Sequence, residues 1–598
     1  MRTLLLLAAA LVAGAAALPA SAEPKKCSVG KMLELPVTMS DLRPMVPATL
    51  NGREVRFIAD SGAFYSNISP GSAAELGLKL TAAPEGLHVR GIGGETQISV
   101  ARVKDFGLGP VALHNVEFLV GGSETGSTGL LGQNVLGVAD VEYDLAGAAI
   151  RLMKPHDCDR TNLAYWAGDK PVSVLEIETP SGSRLHTEGT VILNGVKIRA
   201  IFDTGAPTSM LTTAAAARAG VKPDTPGVVP AGFSSGLGRR SLPTWIGSYQ
   251  SLKIGDEEIR KIHLRFGDIS DGSFDMLIGA DFFLSHRVYV SNAQHKLFFT
   301  YNGGAVFDLT VRKTDPKPVA DTGTAEKPGT EGAPTTAAAF SPRGNARSAR
   351  RDFPGALTDL TRAVELAPDN ADYRYQRAVV LMRTGKRPEA MADLDRALTL
   401  KHDHADALLF RAGLRLSDGD KAGARADVDA VDRAVAGPSD MRLALGQFYD
   451  QLGDPGASIA QFDRWIAAHP ADSRLAMALN GRCWMRAMAG RDLDKAIDDC
   501  DRALRLAPRT AAILDSRGLA RLRSGDLDKA LADYNAALAL EPKMAWSLYG
   551  RGIVEQRKGL AAQARADIAA ASAIEPGLPA EAKKYGIVEP SKQPAGQP

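Results

Sequence analysis

The sequence predicts a multidomain protein: an all-β region built from two duplicated lobes, followed by an all-α array of helical repeats. Three observations predict it. Val55-Arg-Phe-Ile-Ala-Asp-Ser-Gly-Ala63 recurs as Ile198-Arg-Ala-Ile-Phe-Asp-Thr-Gly-Ala206, with Leu50-Asn51-Gly52 and Leu193-Asn194-Gly195 leading in at the same offset. The composition changes after residue 311 to Pro, Thr, Ala, Gly, Glu and Lys, with few large apolar residues. Beyond that stretch the hydrophobic period becomes helical, and Pro508, Pro542 and Pro576 follow one another at equal intervals.

In chain order, Met1-Arg2-Thr3, the apolar run 4–18 and Pro19-Ala20-Ser21-Ala22 read as a signal peptide over residues 1–22. The run is short for a membrane span, so no stable span is expected after cleavage. Export across the inner membrane, to the periplasm, is the expected localisation. Lys26 before Cys27 is not a lipoprotein context. The four cysteines, Cys27, Cys158, Cys483 and Cys500, suit two disulfides in an oxidising compartment, four buried thiols being the alternative.

Lobe one is expected over 23–165 and lobe two over 166–310. Both are rich in β-branched runs and Asn-Gly or Gly-rich turns, with one short helix after each aspartate motif, at 70–76 and 212–219. The duplication continues: Leu130-Leu131-Gly132 matches Leu277-Ile278-Gly279, and the strands 141–144 and 150–152 match 288–290 and 297–299. Residues 311–344 read as a flexible linker, 345–587 as the repeat array and 588–598 as a frayed tail. A net charge of +2 offers no footprint for nucleic acid. There is no CxxC or HExxH, and the ten histidines are scattered, so no metal is expected.

A lone Asp-Ser/Thr-Gly is weak evidence, its bland reading being an aspartate in a turn after a strand. Two copies in two duplicated lobes are much more specific. Here the chain resembles the retropepsin-like aspartic peptidases, through Asp60-Ser61-Gly62-Ala63 with Ser66-Asn67-Ile68, Asp203-Thr204-Gly205-Ala206 with Ser209-Met210-Leu211, and the two aliphatic-aliphatic-Gly strands. The resemblance implies an endopeptidase with both catalytic aspartates, Asp60 and Asp203, on one chain, hence a monomeric active unit acting on polypeptides without a cofactor. It also implies that Ser61 and Thr204 make cross-lobe hydrogen bonds and that Gly62 and Gly205 let the backbone approach. The chemistry is coherent, because two adjacent carboxyls cannot both ionise cheaply and share one proton. The rival reading is a non-catalytic scaffold whose protease-like module only binds peptide.

Such an enzyme needs a hairpin over its cleft, and Gly91-Ile92-Gly93-Gly94 is the candidate flap, with 232–239 its counterpart in lobe two. Gly232-Phe233-Ser234-Ser235-Gly236 fits a nucleophile elbow, but no helix follows and the lobe is not a parallel sheet, so it is rejected. The helical half resembles the tetratricopeptide repeat (TPR) family, with about six repeats and small residues at Gly518, Ala530 and Ala537. That resemblance implies a groove for a protein partner. Trp465, Trp484 and Trp546 are expected in the core or groove, and His402 and His404 at a solvated turn.

Overall fold

The computed structural model describes residues 27–84, 89–92, 94–96, 98–122, 126–178, 186–234, 236, 242–269, 272–307, 334–470 and 472–588. The expected signal peptide, most of the linker, Gly93 of the flap and residues 589–598 lie outside them.

Each lobe is organised by its Asn-Gly turn. Asn51 and Gly52 have φ of 50° and 80°, and Asn194 and Gly195 have 48° and 82°. Consecutive left-handed residues make the tight hairpin whose twist suits antiparallel strands. The turn joins Arg43–Leu50 to Arg53–Ala59 in lobe one and Glu188–Leu193 to Val196–Phe202 in lobe two. The second strand of each hairpin pairs in parallel with the aliphatic-aliphatic-Gly strand, Gly129–Leu131 or Met276–Ile278. Lobe one forms an eight-stranded sheet and lobe two a seven-stranded one. Each curls until non-neighbouring strands also meet, Thr49–Leu50 with Phe106–Gly107 and Ile192–Leu193 with Leu252–Lys253. Alternation along the strands fills one barrel with Phe57, Phe106 and Phe118, while in the other Phe202 of a strand meets Phe282 and Phe283 of the short helix after the Gly strand. Each such side chain contributes about 1.5–3 kcal/mol on burial.

A third sheet joins the lobes, in the order Ser28–Pro36, Ala149–His156, Asp140–Asp144, His286–Ser291, Lys296–Tyr301 and Ser173–Glu176. Across its seam Val141 faces Val290 and Tyr143 faces Val288 in antiparallel register. A disulfide between Cys27 and Cys158 closes its outer edge.

Among the described residues four short helices accompany the lobes: α1 (Pro70–Glu75), α2 (Gln133–Leu136), α3 (Thr213–Arg218) and α4 (Ala280–Phe283). The helical half pairs α5 (Ala337–Ala349) with α6 (Phe353–Leu366), α7 (Ala371–Arg383) with α8 (Arg387–Leu400), and α9 (Ala405–Ser417) with α10 (Lys421–Ala434). Then come α11 (Met441–Gln451) with α12 (Pro455–Ala468), α13 (Leu475–Ala489) with α14 (Leu493–Leu506), α15 (Ala511–Ser524) with α16 (Leu527–Leu540), and α17 (Ala545–Arg557) with α18 (Ala561–Ile574). A short α19 (Leu578–Lys584) follows. Seven pairs are therefore described, against the six expected. The extra one starts with α5, inside the stretch read as linker. Its Ala/Ser/Pro composition resembles a linker, but Ala346 is buried in the lobes' core and Ala349 packs against it. Arg350 donates to the carbonyls of Asn302 and Gly303, fixing the array to lobe two's last strand.

Second helices start at caps written in the sequence: Asp352, Asp420, Asp454 and Asp526 each accept from the amide three residues on. Inside six of the seven pairs an arginine of the first helix forks a carboxylate of the second, buried in all but the last: Arg343–Asp359, Arg377–Asp393, Arg411–Asp427, Arg482–Asp499, Arg517–Asp533 and Arg551–Asp567, at 2.5–3.0 Å. Bidentate geometry compensates the desolvation and fixes helix register. The fourth pair departs from this plan: Arg442 there turns to Asp432, Gln461 and the Val435 carbonyl. The small-residue positions have a steric reason, since a Cβ on Gly518 would lie 2.9 Å from the Tyr534 ring. Cys483 and Cys500 are disulfide-bonded between α13 and α14.

Candidate active site

Both aspartates stand where their strands leave the parallel pairing: the Asp60 amide donates to the Leu131 carbonyl at 3.0 Å and the Asp203 amide to the Ile278 carbonyl at 2.8 Å. The next residue of each loop then reaches across the pseudo-twofold. The Ser61 amide donates to Thr204 Oγ1 (3.0 Å) and the Thr204 amide to Ser61 Oγ (2.9 Å). Each hydroxyl donates onward into the opposite strand, Ser61 to the Phe202 carbonyl (2.8 Å) and Thr204 to the Ala59 carbonyl (2.7 Å). Both hydroxyl residues are buried, so these four bonds form a closed network with little competition from water.

The glycines bring the carboxyls together. A Cβ on Gly62 would lie 2.2 Å from the Asp203 carboxyl carbon, and one on Gly205 2.2 Å from that of Asp60. No other residue fits there. The Gly62 and Gly205 amides also donate to Oδ1 of their own lobe's aspartate, each at 2.9 Å. Burial, then the neighbouring Asp203 charge, raises the Asp60 carboxyl well above its ordinary range. Burial raises Asp203 as well, against hydrogen bonds from Asp60 and from the Ala206 and Gly205 amides. Two carboxyls this close, both half-buried, cannot both ionise cheaply.

Beneath each loop a serine ties the Gly strand in place. Ser66 Oγ accepts from the Gly132 amide (3.0 Å) and Ser209 Oγ from the Gly279 amide (2.8 Å). Ser66 in turn donates to Asn134, whereas Ser209 donates to Asp281, a half-buried acid raised to about 6 by desolvation.

Three further groups reach the site that motif reading did not single out. The Gln133 amide donates to the Ser61 carbonyl at 2.9 Å. Tyr143, fully buried in the seam, lies beside Ser61, and burial pushes its phenol pKa up. His186 carries a ring near enough to Asp203 for their charges to interact, and among the described residues its buried Nδ1 has no hydrogen-bond partner. A cavity of about 200 Å³ lies behind, lined by Gln133, Tyr143, Glu178, His186 and Asn292 among others. For Gln133 the signal was its place right after the Gly strand. For His186 it was the offset that matches it to Arg43 of lobe one.

The flap candidate forms a hairpin, Val89–Gly91 with Gly94–Thr96. Ile92 at its tip packs on lobe two, against a cluster of Ile201, Met210, Ile269 and Leu277. A Cβ on Gly236 would lie 3.1 Å from the Ile92 Cβ, so the hairpin tip meets Gly236 of lobe two. The elbow-like motif lies partly outside the described residues, and the strand Val229–Ser234 pairs antiparallel, unlike an elbow strand. Among the described residues no cluster of His, Cys, Asp or Glu could hold a metal ion, and no helix is long and apolar enough to cross a membrane. His404 caps α9 through Nδ1 and meets Asp372 at 3.0 Å. Trp465 is buried, its indole donating to Asp440, while Trp484 and Trp546 meet edge to face at 5.3 Å.

The comparisons agree with this division. Residues 46–135 and 189–282 match the family model described as aspartyl protease. Residues 342–402 and 443–511 match the tetratricopeptide repeat model, and 518–559 a second TPR model. The chain thus joins a retropepsin-like double lobe to a TPR array. No curated protein matches the sequence. Similar solved structures include a tetratricopeptide repeat protein from Parabacteroides merdae, 18% identical, covering 42% of this chain and 96% of that one with a TM-score of 0.33. YrrB, described as a TPR protein with an unusual peptide-binding site, is 21% identical over 32% of this chain and 97% of that one, with a TM-score of 0.28. The C-terminal part of a TPR repeat-containing protein from Cytophaga hutchinsonii is 15% identical over 36% and 87%, with a TM-score of 0.29.

Proposed function

We propose that this chain, with its aspartyl-protease double lobe and TPR array, is an exported aspartic endopeptidase whose array recruits a protein substrate or partner. The observation that carries the reading is the reciprocal packing at the dyad: each lobe's glycine is moulded to the other lobe's carboxyl. A shell that merely gripped peptide would have no need of two carboxyls pressed together at the cost of raised pKa values.

In this reading the pair shares one proton, burial raising both carboxyls. The ionised carboxyl takes a proton from a water in the groove as the water's oxygen attacks the peptide carbonyl carbon, and the protonated carboxyl donates its proton to the carbonyl oxygen. The tetrahedral diol then collapses: one hydroxyl returns its proton to the dyad, the C–N bond breaks, and the amine leaves with a proton from the other carboxyl. Ser61 and Thr204 hold the two loops so that neither carboxyl must reorganise, and the Ile92 hairpin excludes bulk water. Export is supported by the leader sequence and by two disulfides, which persist in oxidising compartments.

The test is cleavage of an unstructured polypeptide by the purified chain between acid and neutral pH. Activity is expected in a window, lost at low pH when both carboxyls are protonated and at high pH when both are ionised. Wild-type protein that cleaves nothing across that range, while still binding peptide, would leave the scaffold reading in its place.

A further inference from the structure

In this array α13 packs on α15 and α15 on α17 directly, closer than the second helices approach one another, so the first helices line the inner face. A TPR groove offers that face to partners. Here two segments of the same chain lie on it. Lobe one takes the first half. Arg383 at the end of α7 pairs with Asp41 at 2.9 Å, Arg56 faces Asp372 and Tyr375 of α7, and Glu75 of α1 faces Asp440 ahead of α11.

The second half is covered by the C-terminal segment. A closing cap would pack on the last pair alone, and α19 does touch α17 and α18. The chain then reaches back along the ends of the earlier first helices. Arg523, ending α15, donates to the Tyr585 carbonyl at 2.7 Å and to the Met488 carbonyl of α13 at 3.1 Å. Lys584 Nζ and the Tyr585 hydroxyl come to Gly453, just after α11, where a Cβ would lie 3.1 and 3.3 Å from them. Leu578, Ala582 and Ile587 are buried at 0, 0 and 3% exposure in one cluster with Leu519, Tyr549 and Ile553 of the inner face. One contact is poorly matched: Glu581 faces Asp450 of α11, and burial together with that like charge lifts Asp450 to about 6. A seven-residue helix has no stability of its own, so this segment is held only by what it touches.

We propose that the inner face from α11 to α17 is a peptide-docking surface, covered by residues 578–588 as an internal stand-in for its ligand. The partner is a segment of another protein with apolar or aromatic side chains at the spacing of Leu578, Ala582, Tyr585 and Ile587. It carries a cation where this chain has Glu581, so that it pairs with Asp450. The internal segment competes at the high local concentration of a tethered ligand, so only a better-matched peptide displaces it. The inference deepens the recruiting role proposed for the array and is independent of whether the dyad cleaves peptide.

The experiment uses the full chain and a fluorescent synthetic peptide of residues 577–588 carrying Glu581→Lys. Anisotropy titrations compare wild type with the full-length double variant Leu578→Ser, Ile587→Asp, whose own segment has lost two anchors. The variant is expected to bind the probe at least about tenfold more tightly than wild type. Equal binding, or none by a variant that retains wild-type helix content, overturns the proposal. Hydrogen exchange on unmodified protein decides should the variant unfold. Amides of 578–587 exchanging at least about tenfold faster than those of α17 and α18 support a displaceable occupant. Exchange in step with those helices makes the segment a fixed cap and overturns it. Cleavage that persists while the probe fails to bind sinks this inference alone.

Discussion

The two lobes share a backbone plan almost bond for bond, yet differ in the side chains that support it. Ser61 and Thr204 exchange matching amide and hydroxyl bonds, and Gly62 and Gly205 meet opposite carboxyls at the same 2.2 Å for an added Cβ. Around this symmetric centre the shell is lopsided. Lobe one braces the Ser61 carbonyl with Gln133 and sets Tyr143 beside Ser61, where lobe two has Ala280 and Val290 at the matching places. Lobe one places the neutral Asn134 under Ser66, and lobe two the acid Asp281 under Ser209. Arg43 of lobe one corresponds to His186 beside Asp203. Interactions made across the axis are tied to both lobes at once, while those made within one lobe are free to differ.

The comparison breaks most sharply at the dyad. Asp60→Asn and Asp203→Asn should each lower peptide cleavage by roughly 10³-fold or more with the melting temperature little changed. A variant of either lobe that keeps a tenth of wild-type turnover would show the centre to be functionally one-sided. Gly62→Ala and Gly205→Ala come next. Each pushes the opposite carboxyl aside, for a loss on the order of 10²-fold in kcat and about 1–3 kcal/mol of stability. Unequal losses measured by single-turnover kinetics would locate which loop yields.

Ser61→Ala and Thr204→Ala each leave a buried amide unpaired, at about 1–3 kcal/mol by denaturant unfolding. The double variant should cost less than the sum, because one network is broken once; simple additivity would argue against a closed network. The smallest effect tests the outer shell. Asp281, raised to about 6 in the folded protein against about 3.9 unfolded, stabilises the fold most below pH 4 and loses that contribution as pH rises through 6. Asp281→Asn, which gives lobe two the amide of lobe one, should flatten that fall and stabilise the protein by on the order of 1 kcal/mol at pH 7.5. Melting curves with the same pH dependence in both proteins would show Asp281 to be unperturbed.

The duplicated strand-turn-Asp-Gly units were legible because their geometry is local: an Asn-Gly turn, an alternating strand and a glycine at the point of closest approach. Tyr143 was not, because what brings it to Ser61 is pairing between Asp140–Asp144 and His286–Ser291, and no local pattern records which strands will be neighbours. Helix α5 was hidden by composition. Pro342 and its small neighbours look like linker until Ala346 is seen against the lobes' core. The Arg–Asp pairs were readable in principle, since Arg343, Arg377 and Arg411 recur at the repeat period. The proline spacing drew attention to helix ends instead. Pro438 and Pro470, which fall off the even proline spacing, flank the fourth pair, the one whose arginine turns to Asp432 rather than to an aspartate of its own second helix.

The seam strands Asp140–Asp144 and His286–Ser291 run antiparallel about the pseudo-twofold, so each edge is shaped to receive a rotated copy of itself. Severed from its twin, either half would therefore carry an orphaned edge that another identical half could zip onto. A single covalent strand spares the molecule that search for a mate, and makes assembly of its reactive centre independent of how dilute the protein becomes.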